Sequence, residues 1–161
     1  MLTARPLSIW DTAFCWRLAH DPDVRASAID TTTPSVLGHL RWMASWLFRL
    51  DRQAWVVGDV IWTRMARGHN GPLRYRRVRR AALARVEGDG TVSIEVMPKF
   101  RGMGVGLFGV RTATEFAEAR GWATPVAYIR ADNHKSIGLF ARAGYEMAGA
   151  RDGWVTMERA A

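Results

Sequence analysis

The chain has 161 residues, 48% of them hydrophobic and eight of them tryptophan, which is enough for one hydrophobic core and too short for two. Cys15 is its single cysteine, which excludes an intramolecular disulfide, and no apolar run approaches the ~20 residues of a membrane-spanning helix. The formal net charge of +8 is local: residues 60–86 hold eight arginines (Arg64, Arg67, Arg74, Arg76, Arg77, Arg79, Arg80, Arg85) and no acid, and the fifteen other basic residues balance fifteen acids. With no signal-peptide pattern at its start, the chain reads as one soluble, cytoplasmic domain over 1–161.

In chain order, Leu2–Leu7 predicts a short strand, and Ser8 an N-cap for a helix through Phe14, Trp16 and Ala19. Asp21-Pro22-Asp23 breaks that pattern. Thr33-Pro34-Ser35 opens a second helix with Leu37, Leu40, Trp42, Met43, Trp46 and Leu47 on its apolar face. Two long strands, 54–65 and 73–86, flank the turn signal Gly68-His69-Asn70-Gly71-Pro72. Gly88-Asp89-Gly90 is a hairpin into a strand with Val92, Ile94 and Val96 on one side and Glu95 on the other. A helix over 105–120, a strand over 125–130, a helix over 135–143 and a terminal hairpin around Asp152-Gly153 complete the pattern. Interleaved helices and strands place the chain in the α/β (α+β) class, around a mixed sheet.

The glycines of Arg101-Gly102-Met103-Gly104-Val105-Gly106 lie between a strand and a helix. There they leave backbone N–H groups pointing outward beside the positive end of a helix, an arrangement suited to a phosphate or pyrophosphate. A dinucleotide fingerprint would need Gly-x-Gly-x-x-Gly after an early strand, and a P-loop would need Gly-Lys-Ser/Thr; neither is present. Downstream stands Asn133-His134-Lys135-Ser136-Ile137-Gly138-Leu139-Phe140, closed by Ala143-Gly144-Tyr145.

The order and spacing of these two elements resemble the GNAT superfamily of acetyl-CoA-dependent N-acetyltransferases. The resemblance covers about residues 83–146. It implies a mostly antiparallel central sheet of about seven strands flanked by helices; the turn signal at 68–72 and the arginines around it add a long basic hairpin or loop between the second and third strands. It also implies that Arg101, Gly102, Met103, Gly104, Val105 and Gly106 wrap the CoA pyrophosphate. Val96 and Met97 would meet the pantetheine arm and the acetyl carbonyl, and Asn133 and Ser136 the mercaptoethylamine end. No metal is implied.

The chemistry requires an amine to lose a proton and an oxyanion to be stabilised. Glu95, on the strand that leads to the cofactor, is the candidate base, with burial expected to raise its pKa; the alternative is a partner for an arginine. Relatives carry a tyrosine where Phe140 stands, and phenylalanine donates no proton. Tyr145 and Tyr128 are the other phenols considered.

In the N-terminal half, Trp16, Arg17, Arg25, His39 and Trp42 loosely resemble the arrangement in nucleotide-amino-sugar N-acetyltransferases. Rings there would stack on a base or sugar and arginines would hold phosphate, or the same residues are helix-face packing. The expected reaction is acetylation of a small-molecule primary amine. The alternatives are a protein N-terminus or lysine, including ribosomal protein, or a non-catalytic RNA-binding domain. The arginine-rich segment admits nucleic acid, an anionic acceptor, or no partner. A monomer or homodimer is expected.

Overall fold

A computed structural model describes residues 1–28, 30–68 and 71–160, with the side chains of 60–78 outside the description. The strands are β1 (Leu2–Pro6), β2 (Arg52–Gly68), β3 (Gly71–Glu87), β4 (Val92–Val96), β5 (Val126–Arg130), β6 (Tyr145–Arg151) and β7 (Trp154–Arg159). The helices are α1 (Thr12–Ala19), α2 (Pro22–Ala26), α3 (Val36–Phe48), α4 (Val105–Ala119) and α5 (His134–Arg142). Two antiparallel sheets, ordered β1-β2-β3-β4 and β5-β7-β6, contain all seven strands.

Strand alternation sorts the two faces of the first sheet. Val57, Ala82, Ala84 and Ile94 point to α4. Ala54, Val56 and Leu83 point the other way, into a core closed by Phe14 and Leu18 of α1 and Met43 and Trp46 of α3. Helix α4 also packs Val110, Ala113 and Ala117 against Ala127, Ile129, Val155 and Met157 of the second sheet, with Phe140 of α5 in the same cluster. This close approach needs a glycine. At Gly109 a Cβ would stand 2.8 Å from Ile94 Cδ1 and 3.2 Å from Ala84 Cβ.

Two local expectations are corrected. The helix opened by Ser8 begins as a 3-10 turn over Ile9–Asp11 before α1. Asp21-Pro22-Asp23 starts a new helix, because Asp21 Oδ1 accepts from the amides of Asp23 (3.1 Å) and Val24 (3.2 Å) while Pro22 fills a first-turn position. Ser35 caps α3 through Gly38 N at 3.1 Å. Between the paired strands β2 and β3, residues 69–70 of the expected turn lie outside the described residues.

The three described arginines of the basic segment are each paired with an acid. Arg79 meets Asp59 at 2.9 Å, Arg80 meets Asp11 at 2.7 Å and Arg85 meets Glu95 at 2.5 Å. Asp11 is fully buried and also binds Arg5 at 2.6 Å and the Ser8 hydroxyl at 2.8 Å, joining β1, the first turn and β3.

Candidate active site

The two sheets meet at one parallel bridge, Thr91 with Val126, where the Val126 amide donates to Gly90 O at 2.9 Å. Gly90 has φ +88°, and a side chain there would overlap the Thr124 carbonyl. Past this point β4 and β5 belong to different sheets, so the C-terminal half of β4 faces a crevice on its free edge.

Met97 N donates to Ala81 O at 2.9 Å, on the β3 side. Strand alternation therefore turns the peptide groups of Val96 toward the crevice. The expected pair of backbone contacts narrows to Val96, since the Met97 amide is taken by β3.

Pro98–Phe100 forms a 3-10 turn anchored by buried Phe100. Gly102 and Gly104 then adopt φ +77° and +75°, with nothing within 4 Å of where either Cβ would project. Gly104 occupies the N-cap of α4, and no side chain caps the helix. Among the described residues no protein acceptor meets the amides of 102–107; the first bond is Phe108 N to Gly104 O at 3.0 Å. Gly106 lies against Leu139 and Val96, where a Cβ would stand 3.2 and 3.4 Å away. This is an open cradle of uncapped donors at the positive end of a fifteen-residue helix, and it fits a diphosphate.

The side chain of Arg101 reaches instead to Asp23 of α2, at 2.8 Å. Asn133 caps α5, its Oδ1 accepting from Ser136 N at 3.1 Å, which places both residues at the N-terminal end of that helix.

Glu95 lies on the face opposite α4. Its carboxylate accepts from Arg85, both side chains being 17% exposed. Arg85 stands 5.5 Å from the Trp42 ring and 5.6 Å from Trp46, and its buried Nε has no protein partner among the described residues. Glu95 is thus the partner of an arginine, the alternative the sequence left open, and that arginine lies over two indoles. Arg85 is the functional candidate that sequence reasoning did not single out. Its position opposite Ser93, two pairs along from Leu83 and Glu95 and so on the same face, was the available signal.

Of the N-terminal candidates, Trp16, His39 and Trp42 come together. His39 is buried, lies 5.3 Å from Trp16 edge-on and 5.7 Å from Trp42 stacked, and its Nε2 is 3.2 Å from Thr12 O. Arg17 is exposed on α1, outside this cluster. Arg25 donates to the carbonyls of Asp30 (3.0 Å) and Thr32 (3.3 Å), which ties it to the loop before α3.

Three further side chains, Phe140, Tyr145 and Cys15, lie in the core. Phe140 is buried and packs edge-on against Tyr145 at 5.0 Å. The Tyr145 hydroxyl bonds Thr114 Oγ1 at 2.7 Å in the core, and burial pushes its pKa up to about 12. Burial likewise pushes the Cys15 thiol up to about 12.

Residues 1–146 match the acetyltransferase (GNAT) domain, and the chain belongs to this family of acyltransferases, which use acetyl-CoA as acyl donor. No curated protein matches it in sequence. Similar folds include a domain from Methanocaldococcus jannaschii, at TM-score 0.75 and 18% identity over 98% of this chain and 97% of the other. Another is spermidine N-acetyltransferase from Vibrio cholerae in complex with CoA and spermine, at TM-score 0.73 and 13% identity over 98% and 92%. A Salmonella typhimurium protein with its cofactor acetyl-CoA gives 0.70 and 20% over 98% and 91%. Among the described residues no group of three or more His, Cys, Asp or Glu could hold a metal ion, and no helix is long and apolar enough to cross a membrane.

Acetyl-CoA brings an acyl group activated as a thioester. The uncapped amides of 102–107 could hold its diphosphate, with the free edge of Val96 beside them.

Proposed function

We propose that the enzyme transfers the acetyl group to a primary amine of a small molecule, with Glu95 as the base that receives the amine proton. A nucleotide-linked amino sugar is the first acceptor to test. The observation that carries the reading is the Arg85–Glu95 pair, set against Trp42 on the face away from α4, one residue before the crevice-facing Val96. A carboxylate there has a cation to hold its orientation and an aromatic wall for the acceptor. The partly exposed Trp42 and the exposed Arg17 supply a ring and a cation on the same side of the sheet. The deciding experiment is a panel of amines, including nucleotide-linked amino sugars, polyamines, amino acids and peptides, scored by CoA thiol release. Turnover confined to peptides would overturn the small-molecule reading.

A further inference from the structure

The reaction also needs a proton for the departing sulfur, and the position that would supply it in relatives holds Phe140. Tyr145 is bonded inside the core, and the side chain of Tyr75 lies outside the described residues. Tyr128 is the remaining tyrosine. It is 50% exposed in the middle of β5.

Its placement follows from register. The parallel bridge pairs Thr91 with Val126, which sets Ser93 level with Tyr128 and Glu95 level with Arg130 as the two strands diverge. Ala127 and Ile129 face α4 and α5, so Tyr128 faces the opposite way, as Glu95 does on β4. Across β7 its neighbour on that face is Thr156. Glu95 and Tyr128 therefore stand on opposite lips of one crevice, on one face, two residue levels apart. Strand rise makes two levels about 7 Å along the strand direction. The aliphatic hydroxyls nearby, Ser93 and Thr156, are weaker acids than a phenol.

We propose that Tyr128 is the general acid of this enzyme. It rests on the amine acetylation proposed above. In the step, the amine nitrogen forms a bond to the acyl carbon and the carbon–sulfur bond breaks, its electron pair leaving on sulfur. The Tyr128 hydroxyl gives its proton to that sulfur, and Glu95 takes the proton released by nitrogen. Proton transfer through solvent from Glu95 to the phenolate restores both groups, and the products are the N-acetyl amide and the CoA thiol.

The test is Tyr128→Phe, with two readouts. With the best amine from the panel, kcat falls about 100-fold, KM for acetyl-CoA stays within about twofold, and the alkaline limb of the pH–kcat profile disappears. Independently of turnover, the phenolate absorbance of wild type minus variant isolates the Tyr128 titration. Adding CoA moves that titration to higher pH, because a neighbouring thiolate disfavours the phenolate. A kcat within twofold of wild type, a loss confined to acceptor KM, or a difference titration indifferent to CoA overturns the assignment. If wild type turns over no amine, the acceptor reading fails instead, and the titration still decides whether Tyr128 neighbours the sulfur.

Discussion

Arg101 opens the glycine loop, and its guanidinium lies 2.8 Å from the carboxylate of Asp23 in the first turn of α2, 78 positions earlier. One exposed ion pair thereby links the glycine loop to α2, on the face of the first sheet away from α4. With Asp23 63% exposed and Arg101 41%, the pair contributes little to stability, about 0–1 kcal/mol. Asp23→Ala is expected to leave the melting temperature nearly unchanged and to lower KM for acetyl-CoA two- to threefold, as Arg101 becomes available to an anion. Steady-state kinetics beside thermal melts check this; a higher KM would count against it.

Gly104→Ala tests the cradle. The left-handed conformation costs a non-glycine residue about 1–2 kcal/mol, yet no atom lies within 4 Å of the new methyl. The variant should fold, and the stabilisation that acetyl-CoA gives wild type, about 3 kcal/mol at 100 times Kd and read as a melting shift, should shrink. An undiminished shift would show that these amides do not hold the diphosphate.

Glu95→Gln keeps the shape and one acceptor for Arg85 but removes the base. Turnover should drop at least about 10-fold while the acetyl-CoA-induced melting shift is retained. Unchanged turnover across pH would take Glu95 out of the chemistry.

Asp11 governs stability in acid. Burial alone would raise its pKa, but the bonds from Arg5, Arg80 and Ser8 outweigh this and hold it at about 2. A folded pKa below the unfolded value means a contribution fully present above about pH 4 and lost as pH falls toward 2, roughly 2–3 kcal/mol in all. Asp11→Asn should be destabilised at neutral pH and should melt with a flatter pH dependence than wild type between pH 4 and 2. Parallel slopes would refute the linkage.

Tyr145→Phe separates core from chemistry. Losing the Thr114 bond should cost about 1 kcal/mol, limited because Thr114 Oγ1 keeps Val110 O at 2.9 Å, and kcat should stay within twofold. A large kcat loss would return Tyr145 to the list of proton donors.

What was legible in the sequence was what local patterns encode. The alternation of Val92, Ile94 and Val96, the glycines after Arg101 and the cap at Asn133 each specify a neighbourhood of a few residues, and strand β4, the open cradle and α5 follow. Helix α2 was hidden because Asp-Pro-Asp serves equally as a breaker and as a capped first turn. The links between Arg101 and Asp23, Arg80 and Asp11, and Trp16 and His39 join residues 23 to 78 positions apart; only the folded arrangement of sheets and helices sets them. The glycine loop could be read as an anion cradle, but nothing local told that Met97 would be bonded to β3 and Val96 left facing outward.

The single rung between Thr91 and Val126 leaves α4 as the spine of a half-open book. Both covers lean on that one helix, whose leading end carries the cradle, and its standoff from the first cover is fixed by the missing side chain at Gly109. A bulkier residue in that seat would spread the covers and tilt the cradle together, so substrate fit can be retuned from a position that no substrate reaches.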